Sequence, residues 1–476
     1  MSELHELGAL ELGRAVATRE VSPVEVAQHF LSRIAAGDRV GAFVTVTADL
    51  ALAQAREQER LAARGELPSP LAGVPVPVKD LNHVAGVPVG YGSAVYAGYV
   101  APFDDHVVRR MREAGTVCLG KTSTPEFGLP CYTETRVGPP ARTPWDLSRG
   151  AGGSSGGGAA AVAAGLAPIA QGSDGGGSIR IPASSCGLFG LKPSRGRVSN
   201  GPLGGDVGPG LGVIGPLSRS VADAAALLDV MAGPEPGDPH WAPPLPAGET
   251  FLDYVGRDPG RLRIARFREP VVGRAEVHPE CVAAYDEASA LLAGLGHEVV
   301  DIEPPLSRDL VPLFEVAWAV LATLAPVPPD REDGLMPLTR YLRGRGTRIT
   351  GTQFAQAVAA MQAAARAAIE TLAPYDAVLT PTLAALPAPV GSLRDDDDPA
   401  ADFEAQKGFT PFTALWNVTG MPAVSLPLHH TGRLPGADLG LPVGVMLAGR
   451  PAGEGPLLAL SAQVEAAAPW HHRARP

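Results

Sequence analysis

Two glycine-rich stretches, each containing serines, carry the residue types that nucleophilic catalysis needs. They are Gly152-Gly-Ser-Ser-Gly-Gly-Gly158 and Gly172-Ser-Asp-Gly-Gly-Gly-Ser-Ile-Arg180. Consecutive glycines allow several backbone N–H groups to converge on one point, as an oxyanion hole requires. A serine beside such N–H groups is placed to attack a carbonyl carbon. The candidate nucleophile is Ser178. The candidate oxyanion hole is formed by Gly175, Gly176 and Gly177, together with the N–H group of Ser178 itself.

A serine hydroxyl must be activated by a base, and the sequence offers Lys79 for that role. Lys79 follows the apolar segment Val74-Pro-Val-Pro-Val78, which predicts a buried position. Burial disfavours the charged ammonium form and lowers the pKa of a lysine from about 10.4 toward the range of a useful base. Ser154, in the first glycine-rich stretch, can then pass a proton from Ser178 to Lys79.

Two other interpretations of the first stretch have less support. A phosphate-binding loop would need a preceding strand and a closing Gly-Lys-Ser/Thr sequence, whereas residues 139–148 are loop-like and no such sequence follows. Gly152-Gly-Ser-Ser-Gly156 matches the G-x-S-x-G pattern of a nucleophile elbow. An elbow also needs a strand before the serine and a histidine and an acid after it. The strand is missing, and the downstream histidines lie in undistinguished surroundings.

The predicted elements around these stretches allow the two serines to meet. From Gly156 onward the sequence predicts a helix that returns into a short strand over 167–171. The first 65 or so residues are predicted to be helical, with a capping box at Ser22-Pro-Val-Glu25. Residues 73–79 are predicted to be an edge or irregular strand because they include two prolines.

Helices and strands continue to alternate along the chain. Residues 116–119 predict a short buried strand and Val221–Met231 a helix. Residues 281–295 predict a helix followed by a strand over 298–302. This pattern, without an internal repeat or a long flexible linker, predicts one large α/β domain over residues 1–476.

Composition narrows the classes of function. The 476 residues carry a formal net charge of −11, which argues against a nucleic-acid partner because such a partner favours a basic face. The sequence has no uninterrupted apolar run of about 18 residues, so no membrane-spanning helix is predicted. The N-terminus lacks the features of a secretory signal. The four widely spaced cysteines are typical of reduced thiols in a cytoplasmic protein. The histidines show no metal-ligand spacing, so no metal is expected.

Taken together, several motifs resemble those of the amidase signature family, and the resemblance covers most of the chain. Besides the two serine stretches they are Val76-Pro-Val-Lys-Asp80, Gly120-Lys-Thr-Ser-Thr-Pro-Glu-Phe127, Pro144-Trp-Asp-Leu-Ser-Arg149, Gly187-Leu-Phe-Gly-Leu-Lys-Pro193, Leu379-Thr-Pro-Thr382 and Asn417-Val-Thr-Gly-Met-Pro-Ala-Val-Ser-Leu-Pro427. The Ser-Asp-Gly-Gly-Gly-Ser and Thr-Pro-Glu-Phe-Gly forms are also similar to relatives that cleave the cyclic dimer of 6-aminohexanoate.

The resemblance implies an amidohydrolase that cleaves a carboxylic amide C–N bond through an acyl-enzyme on Ser178. Ser154 falls on the family's bridging serine, which follows a cis peptide bond, and Lys79 falls on its base. The resemblance further implies a large, mixed, twisted β-sheet with helices on both faces. It implies a small-molecule amide substrate and no cofactor. A homodimer is expected only because dimers are the commonest oligomers.

Five further residues are expected to support or surround this triad. Ser155 is expected to support the proton relay, to cap the following helix, or both. Asp174 and Arg180 are expected to form a buried pair that fixes the nucleophile loop. Cys131 and Tyr132 lie near the pocket by analogy, although a buried core position is the favoured interpretation for both.

The resemblance also divides the single domain into regions. Residues from about 1 to 65 form a helical segment, about 66–232 the core with the catalytic loops, and about 249–375 a variable substrate-pocket region. Within these, the pocket is expected around 128–137 and within 318–352.

Two other functions are open from the sequence. One is the glutamine-hydrolysing subunit of a tRNA-dependent amidotransferase, whose activity would depend on a second subunit. The other is a catalytically silent binding protein on the same scaffold, and the presence of all three triad residues counts against it.

Overall fold

The computed structural model describes residues 3–206, 208–432 and 440–470. Its strands form one sheet of three strands and one of eight. The strands are β1 (Phe43–Val46), β2 (Val78–Lys79), β3 (Gly120–Thr122), β4 (Ile169–Asp174), β5 (Phe189–Lys192), β6 (Val213–Ser218), β7 (Arg263–Arg266), β8 (Glu298–Asp301), β9 (Ala377–Pro381), β10 (Ala423–His430) and β11 (Pro442–Gly449).

The α-helices surround these two sheets. They are α1 (Ala9–Ala17), α2 (Pro23–Ala36), α3 (Ala48–Arg64), α4 (His106–Glu113), α5 (Gly156–Ala163), α6 (Arg180–Cys186), α7 (Val221–Met231), α8 (Phe251–Val255), α9 (Pro279–Gly294), α10 (Val311–Thr323), α11 (Pro337–Gly346), α12 (Gly351–Leu372), α13 (Pro399–Phe409), α14 (Leu415–Val418) and α15 (Glu454–Ala467).

The large sheet has the strand order β4-β6-β5-β10-β11-β9-β7-β8. β7 pairs in parallel with both of its neighbours, β8 and β9. The remaining neighbours pair antiparallel. The predicted mixed sheet is therefore confirmed.

Apolar side chains cover both faces of the large sheet. In β7, Ile264 belongs to one hydrophobic cluster and the next residue, Ala265, belongs to another. Neighbouring side chains on a strand point to opposite faces, so the two clusters lie on opposite sides of the sheet. Cys281 of α9 packs in the first cluster and Leu372 of α12 in the second. Helices therefore cover both faces, as the resemblance implied.

The small sheet has the order β1-β3-β2, so β2 is one of its edges, as predicted for residues 73–79. The strand predicted over 116–119 is wrong in position, because β3 begins at Gly120. Val117 makes a single parallel bridge, to Pro75. Proline has no N–H to donate, and the prolines of this segment prevent the ladder from extending.

The N-terminal segment is mostly helical, as predicted, but it also contains β1. This strand pairs with β3 through Thr45 and Lys121, a partner too distant in the sequence for local patterning to show. The predicted capping box at the start of α2 is confirmed. Ser22 Oγ accepts a hydrogen bond from the N–H of Val24 at 3.0 Å, and Glu25 accepts one from the N–H of Ser22 at 2.8 Å.

Between the two glycine-rich stretches, α5 and β4 form the predicted helix and returning strand. α5 is buried along most of its length and packs closely against backbone. A Cβ atom at Gly157 would lie 2.3 Å from Ser123 N and 2.5 Å from Ala42 O. Glycine is needed here because a side chain would push these segments apart.

Candidate active site

The side chain of Lys79 lies where the two glycine-rich stretches meet. Its Nζ atom is 2.8 Å from Ser154 Oγ, 2.9 Å from Ser155 Oγ and 3.0 Å from Ser173 Oγ. The N–H of Ser155 donates to the carbonyl oxygen of Ser178 at 3.1 Å, which ties the first stretch to the second. The structure therefore brings the three predicted triad residues into one region.

Lys79 is completely buried. Burial lowers the pKa of its ammonium group to about 7, and the negative charge of Asp174 only partly opposes this effect. The neutral amine is therefore well populated near pH 7, and a neutral amine can accept a proton. The backbone of Lys79 is also fixed, because its N–H donates to Gln171 Oε1 at 2.9 Å.

Glycines let the backbone on both sides approach Ser154 closely. The peptide bond between Gly153 and Ser154 is cis. A Cβ atom at Gly153 would lie 2.8 Å from the carbonyl carbon of Tyr132, and one at Gly128 would lie 3.2 Å from Ser154 Oγ. A side chain at either position would displace the serine from the lysine that it contacts.

Ser178 lies in the loop between β4 and α6, and a buried ion pair holds this loop. Arg180 donates from Nε and Nη2 to the two carboxylate oxygens of Asp174, both at 2.9 Å, and both side chains are fully buried. Asn417 Nδ2 donates to Asp174 Oδ1 and Asn417 Oδ1 accepts from Arg180. Burial acts to raise the pKa of the Asp174 carboxyl, but Arg180 outweighs it and holds this pKa well below its usual range.

The N–H groups of the nucleophile loop divide into two sets. The N–H of Gly177 donates to Asp174 Oδ1 at 2.7 Å, so it is occupied and orients the loop. The N–H groups of Gly175, Gly176 and Ser178 have no hydrogen-bond partner within the described part of the chain. Of the predicted donors, Gly175, Gly176 and Ser178 therefore have N–H groups available in this structure, whereas the Gly177 N–H is already bound.

A pocket of about 900 Å³ of empty space, part of it open to solvent, lies in front of Ser178. Residues 129–131, the nucleophile loop, α10, α13 and α14 form its walls. Most of the lining side chains are apolar, among them Leu129, Ile181, Val271, Leu310, Phe314, Trp318, Met361, Phe403, Leu415 and Val418.

The predicted pocket segments contribute unequally to the lining of this pocket. Residues 129–131 line the pocket as expected, but Trp318 is the one lining residue from 318–352. Lining residues at 403–418 lie outside the predicted region of about 249–375. They reach the site because this segment folds over the nucleophile loop, where Thr413 Oγ1 donates to the carbonyl of Gly176 at 2.6 Å.

Of the two residues expected near the pocket by analogy, Cys131 lines it and Tyr132 does not. Cys131 lines the pocket, and burial raises the pKa of its thiol above the ordinary value, so it forms a neutral part of the wall. Tyr132 is buried, and its hydroxyl donates to Asp402 Oδ2 at 2.6 Å. It is not among the lining residues of this pocket in the described part of the chain.

Sequence reasoning missed two residues of the site. Ser173 contacts Lys79 Nζ, and it lies two residues after Gln171, which holds the backbone of Lys79. Alternate residues of a strand share a face, so the β4 pattern could have identified Ser173. Asn417 begins the motif at residues 417–427, but its contact with Asp174 joins residues far apart in the sequence. No local sequence pattern indicates that contact.

Residues 3–206, 208–432 and 440–470 contain neither a cluster of metal-ligating side chains nor a membrane-spanning helix. No three His, Cys, Asp or Glu side chains are grouped closely enough to hold a metal ion. No helix has the length and apolar character needed to cross a membrane.

Comparison with known proteins gives a consistent result. The chain matches the amidase family model over residues 25–458. The 6-aminohexanoate-cyclic-dimer hydrolase of Paenarthrobacter ureafaciens is 36% identical over 442 residues, covering 88% of this chain and 86% of that protein.

Solved structures agree. A structure of 6-aminohexanoate cyclic dimer hydrolase matches with a TM-score of 0.90 at 33% identity, covering 100% of this chain and 99% of that one. A bacterial aryl acylamidase of the amidase signature family matches with a TM-score of 0.86 at 27% identity, covering 98% of both chains.

Proposed function

Because the chain belongs to the amidase family and is therefore a hydrolase of amide C–N bonds, we propose that it works through an acyl-enzyme on Ser178. Ser154 is the proton relay and Lys79 the base. The observation that carries this proposal is the 2.8 Å contact between Lys79 Nζ and Ser154 Oγ. A buried lysine whose amine is neutral near pH 7 can draw a proton through that serine.

The proposed cycle begins with neutral Lys79. It takes the Ser154 proton while Ser154 takes the Ser178 proton, and the Ser178 oxygen bonds to the amide carbon. When the tetrahedral intermediate collapses, the C–N bond breaks and the amine leaves with a proton that returns from Lys79 through Ser154. A water molecule, deprotonated by the same relay, then attacks the ester carbon. The C–O bond to Ser178 breaks, the relay returns the proton to the Ser178 oxygen, and the carboxylic acid is released.

Neighbouring backbone N–H groups and serine hydroxyls are proposed to stabilise the oxyanion and to position the Lys79 amine. The N–H groups of Gly175, Gly176 and Ser178 are the proposed donors to the oxyanion, where preorganised donors contribute most to the rate. Ser155 and Ser173 keep the Lys79 amine in place through their hydroxyls.

The substrate is proposed to be a small-molecule amide. The pocket in front of Ser178 is lined mostly by apolar side chains with a few polar groups, which is typical of small-ligand sites. A solved structure similar to this chain is described as 6-aminohexanoate cyclic dimer hydrolase complexed with substrate. The amidotransferase alternative is not favoured, because these relatives are named as hydrolases. A homodimer and a cytoplasmic location stay predictions.

The test is amine or ammonia release from linear, aryl and cyclic amides and from glutamine, with the wild type and Ser178→Ala compared. We expect release by the wild type alone. Ser392→Ala is the matched control, because Ser392 is exposed and does not line the pocket, and it should retain full activity. Equal rates for wild type and Ser178→Ala would contradict the acyl-enzyme.

A further inference from the structure

The hydroxyl and amide side chains that line the pocket already have partners, apart from the nucleophile Ser178. Ser307 Oγ donates to a neighbouring carboxylate at 2.9 Å, and Thr410 Oγ1 donates to a backbone carbonyl at 3.0 Å. Gln406 accepts from the backbone N–H of Cys131 and donates to a buried carboxylate. A polar group on the bound part of a substrate would therefore lose its water and find few free hydrogen-bonding groups in return.

The two charged side chains of the lining neutralise each other. Lys407 Nζ is 2.5 Å from Glu315 Oε1 and 2.5 Å from Glu404 Oε1. The second oxygen of Glu315 accepts from Arg345 Nη2 at 2.8 Å. Two cations thus face two anions, and this wall leaves no net charge to pair with an ion of the substrate.

Two aromatic rings lie directly on the loop that carries the proposed oxyanion donors. Phe314 and Trp318 stack with ring centroids 5.3 Å apart and an interplanar angle of 19°. A Cβ atom at Gly175 would lie 3.5 Å from Trp318 Cη2, and one at Gly176 would lie 3.7 Å from Phe314 Cζ and from Trp318 Cη2. These are ordinary van der Waals distances, so both rings line the space beside the backbone next to Ser178.

We propose that this pocket holds an uncharged aromatic acyl group, so that the preferred substrates are amides of simple aromatic carboxylic acids. The inference rests on the proposed function, because it concerns the acyl group that Ser178 accepts. An aromatic ring gains ring–ring contact with Phe314 and Trp318 beyond the burial of its area. A charged acyl group finds no unpaired counterion there, and a short acyl group leaves the apolar walls unfilled.

The first experiment compares kcat/KM for four 4-nitroanilides that share one leaving group: benzoyl, 4-carboxybenzoyl, 4-(aminomethyl)benzoyl and acetyl. We expect the benzoyl compound to exceed both charged compounds by at least about 100-fold. It should exceed the acetyl compound by about 10-fold or more, since an apolar pocket discriminates on this scale. A charged or acetyl compound that equals or exceeds the benzoyl compound would overturn the inference.

Comparison with Ser178→Ala separates this inference from the proposed function. Hydrolysis that depends on Ser178 but favours charged or short acyl groups would overturn the inference alone. If no amide were hydrolysed in a Ser178-dependent way, the proposed function would fail and the inference with it.

The second experiment changes the ring wall. Trp318→Leu removes the ring but keeps apolar volume, whereas Trp318→Phe keeps a ring. We expect the benzoyl-to-acetyl ratio of kcat/KM to fall about 10-fold in Trp318→Leu and to stay within about 3-fold in Trp318→Phe. Trp241→Leu is the matched control, because Trp241 is 66% exposed and should leave the ratio unchanged. An unchanged ratio in Trp318→Leu would overturn the inference.

Discussion

At the scale of single residues, the contacts of two buried lysines explain why Lys79 is the proposed base and Lys192 is not. Lys79 and Lys192 are both completely buried, and burial lowers the pKa of each to about 7. Lys79 Nζ contacts three serine hydroxyls, whereas the one hydrogen bond found for Lys192 Nζ in the described chain goes to the carbonyl of Pro193. Burial therefore lowers the pKa of both lysines, and the contact with serine hydroxyls is what distinguishes Lys79 as the proposed base.

The lowered pKa of Lys79 predicts how activity depends on pH. The neutral amine is the active form, and burial lowers the pKa to about 7, so kcat/KM should rise with pH and level off above about 7. Below that value it should fall about tenfold per pH unit. A stable amide should be assayed from pH 5 to 9. A flat profile, or a rise confined to pH above about 9, would contradict this assignment.

Substitution of each buried lysine separates their roles. Lys79→Met should lower kcat/KM by at least about 1,000-fold, because Lys79 is the basic side chain that contacts Ser154 Oγ among the described residues. Lys192→Met, the matched control, should stay within about tenfold of the wild type and keep the same pH midpoint. Denaturant unfolding of both variants shows whether a loss of activity reflects a loss of structure. Equal losses in the two variants would count against Lys79 as the base.

At the scale of elements, the nucleophile loop depends on contacts that join β4, α6 and α14. Arg180, at the start of α6, pairs with Asp174 at the end of β4, and Asn417 of α14 binds both. These contacts fix the direction of the N–H groups beside Ser178. Because these hydrogen bonds join three elements, the nucleophile loop has little freedom to move Ser178 and its neighbouring N–H groups.

Breaking this ion pair should cost far more stability than breaking an exposed one. Arg180→Met leaves the fully buried Asp174 without its cation, and such a change lowers the free energy of unfolding by about 3–5 kcal/mol. The control is Arg64→Met, because Arg64 and its partner Glu66 are each 57% exposed, and its cost should be below about 1 kcal/mol. Urea unfolding measures both values. Similar losses would show that the buried pair does not hold the loop.

Elements with local signals were the predictable part of the fold. The Val221–Met231 helix and the helix and strand between the serine stretches are confirmed, because their patterns lie within the segments themselves. β10 and β11 were not predicted. They pair with each other, and their other partners, β5 and β9, lie far away in the sequence. Pairing with those distant strands leaves no local signal.

The same distinction holds for the site. Lys79, Ser154 and Ser178 were identified from residue types and motifs, and the structure places them together. The pocket was only partly identified, since the walls at 403–418 arrive through tertiary contacts. The occupied N–H of Gly177 could not be read from the sequence either, because three consecutive glycines carry no record of which N–H is used.

At the scale of the whole molecule, distant segments are joined by buried polar contacts. Asp223 of α7 accepts from the N–H of Ala9 at 3.0 Å and of Leu10 at 2.9 Å, at the start of α1. This contact holds the N-terminal helix to the body of the protein. Neither Asp223 nor α1 contributes to the walls of the catalytic pocket.

Loss of this contact should affect stability and leave catalysis intact. Asp223→Ala leaves two buried N–H groups without an acceptor, so the free energy of unfolding should fall by about 1–3 kcal/mol. Glu11→Ala is the matched control: Glu11 is exposed and accepts from the Gly8 N–H in the same helical turn, and it should cost about 0.5–1 kcal/mol. Urea unfolding and kcat would be measured together. A large fall in kcat of folded Asp223→Ala would contradict this separation.

The central claim is that Ser178 becomes acylated during amide hydrolysis. The most direct measurement is rapid acid quenching during turnover of a hydrolysed amide, followed by intact-protein and peptide mass spectrometry. We predict a mass increase equal to the acyl group, located on Ser178 and absent from Ser178→Ala. Continued turnover with the acyl group on another residue, or with no acylated protein under conditions in which deacylation is slowed, would contradict it.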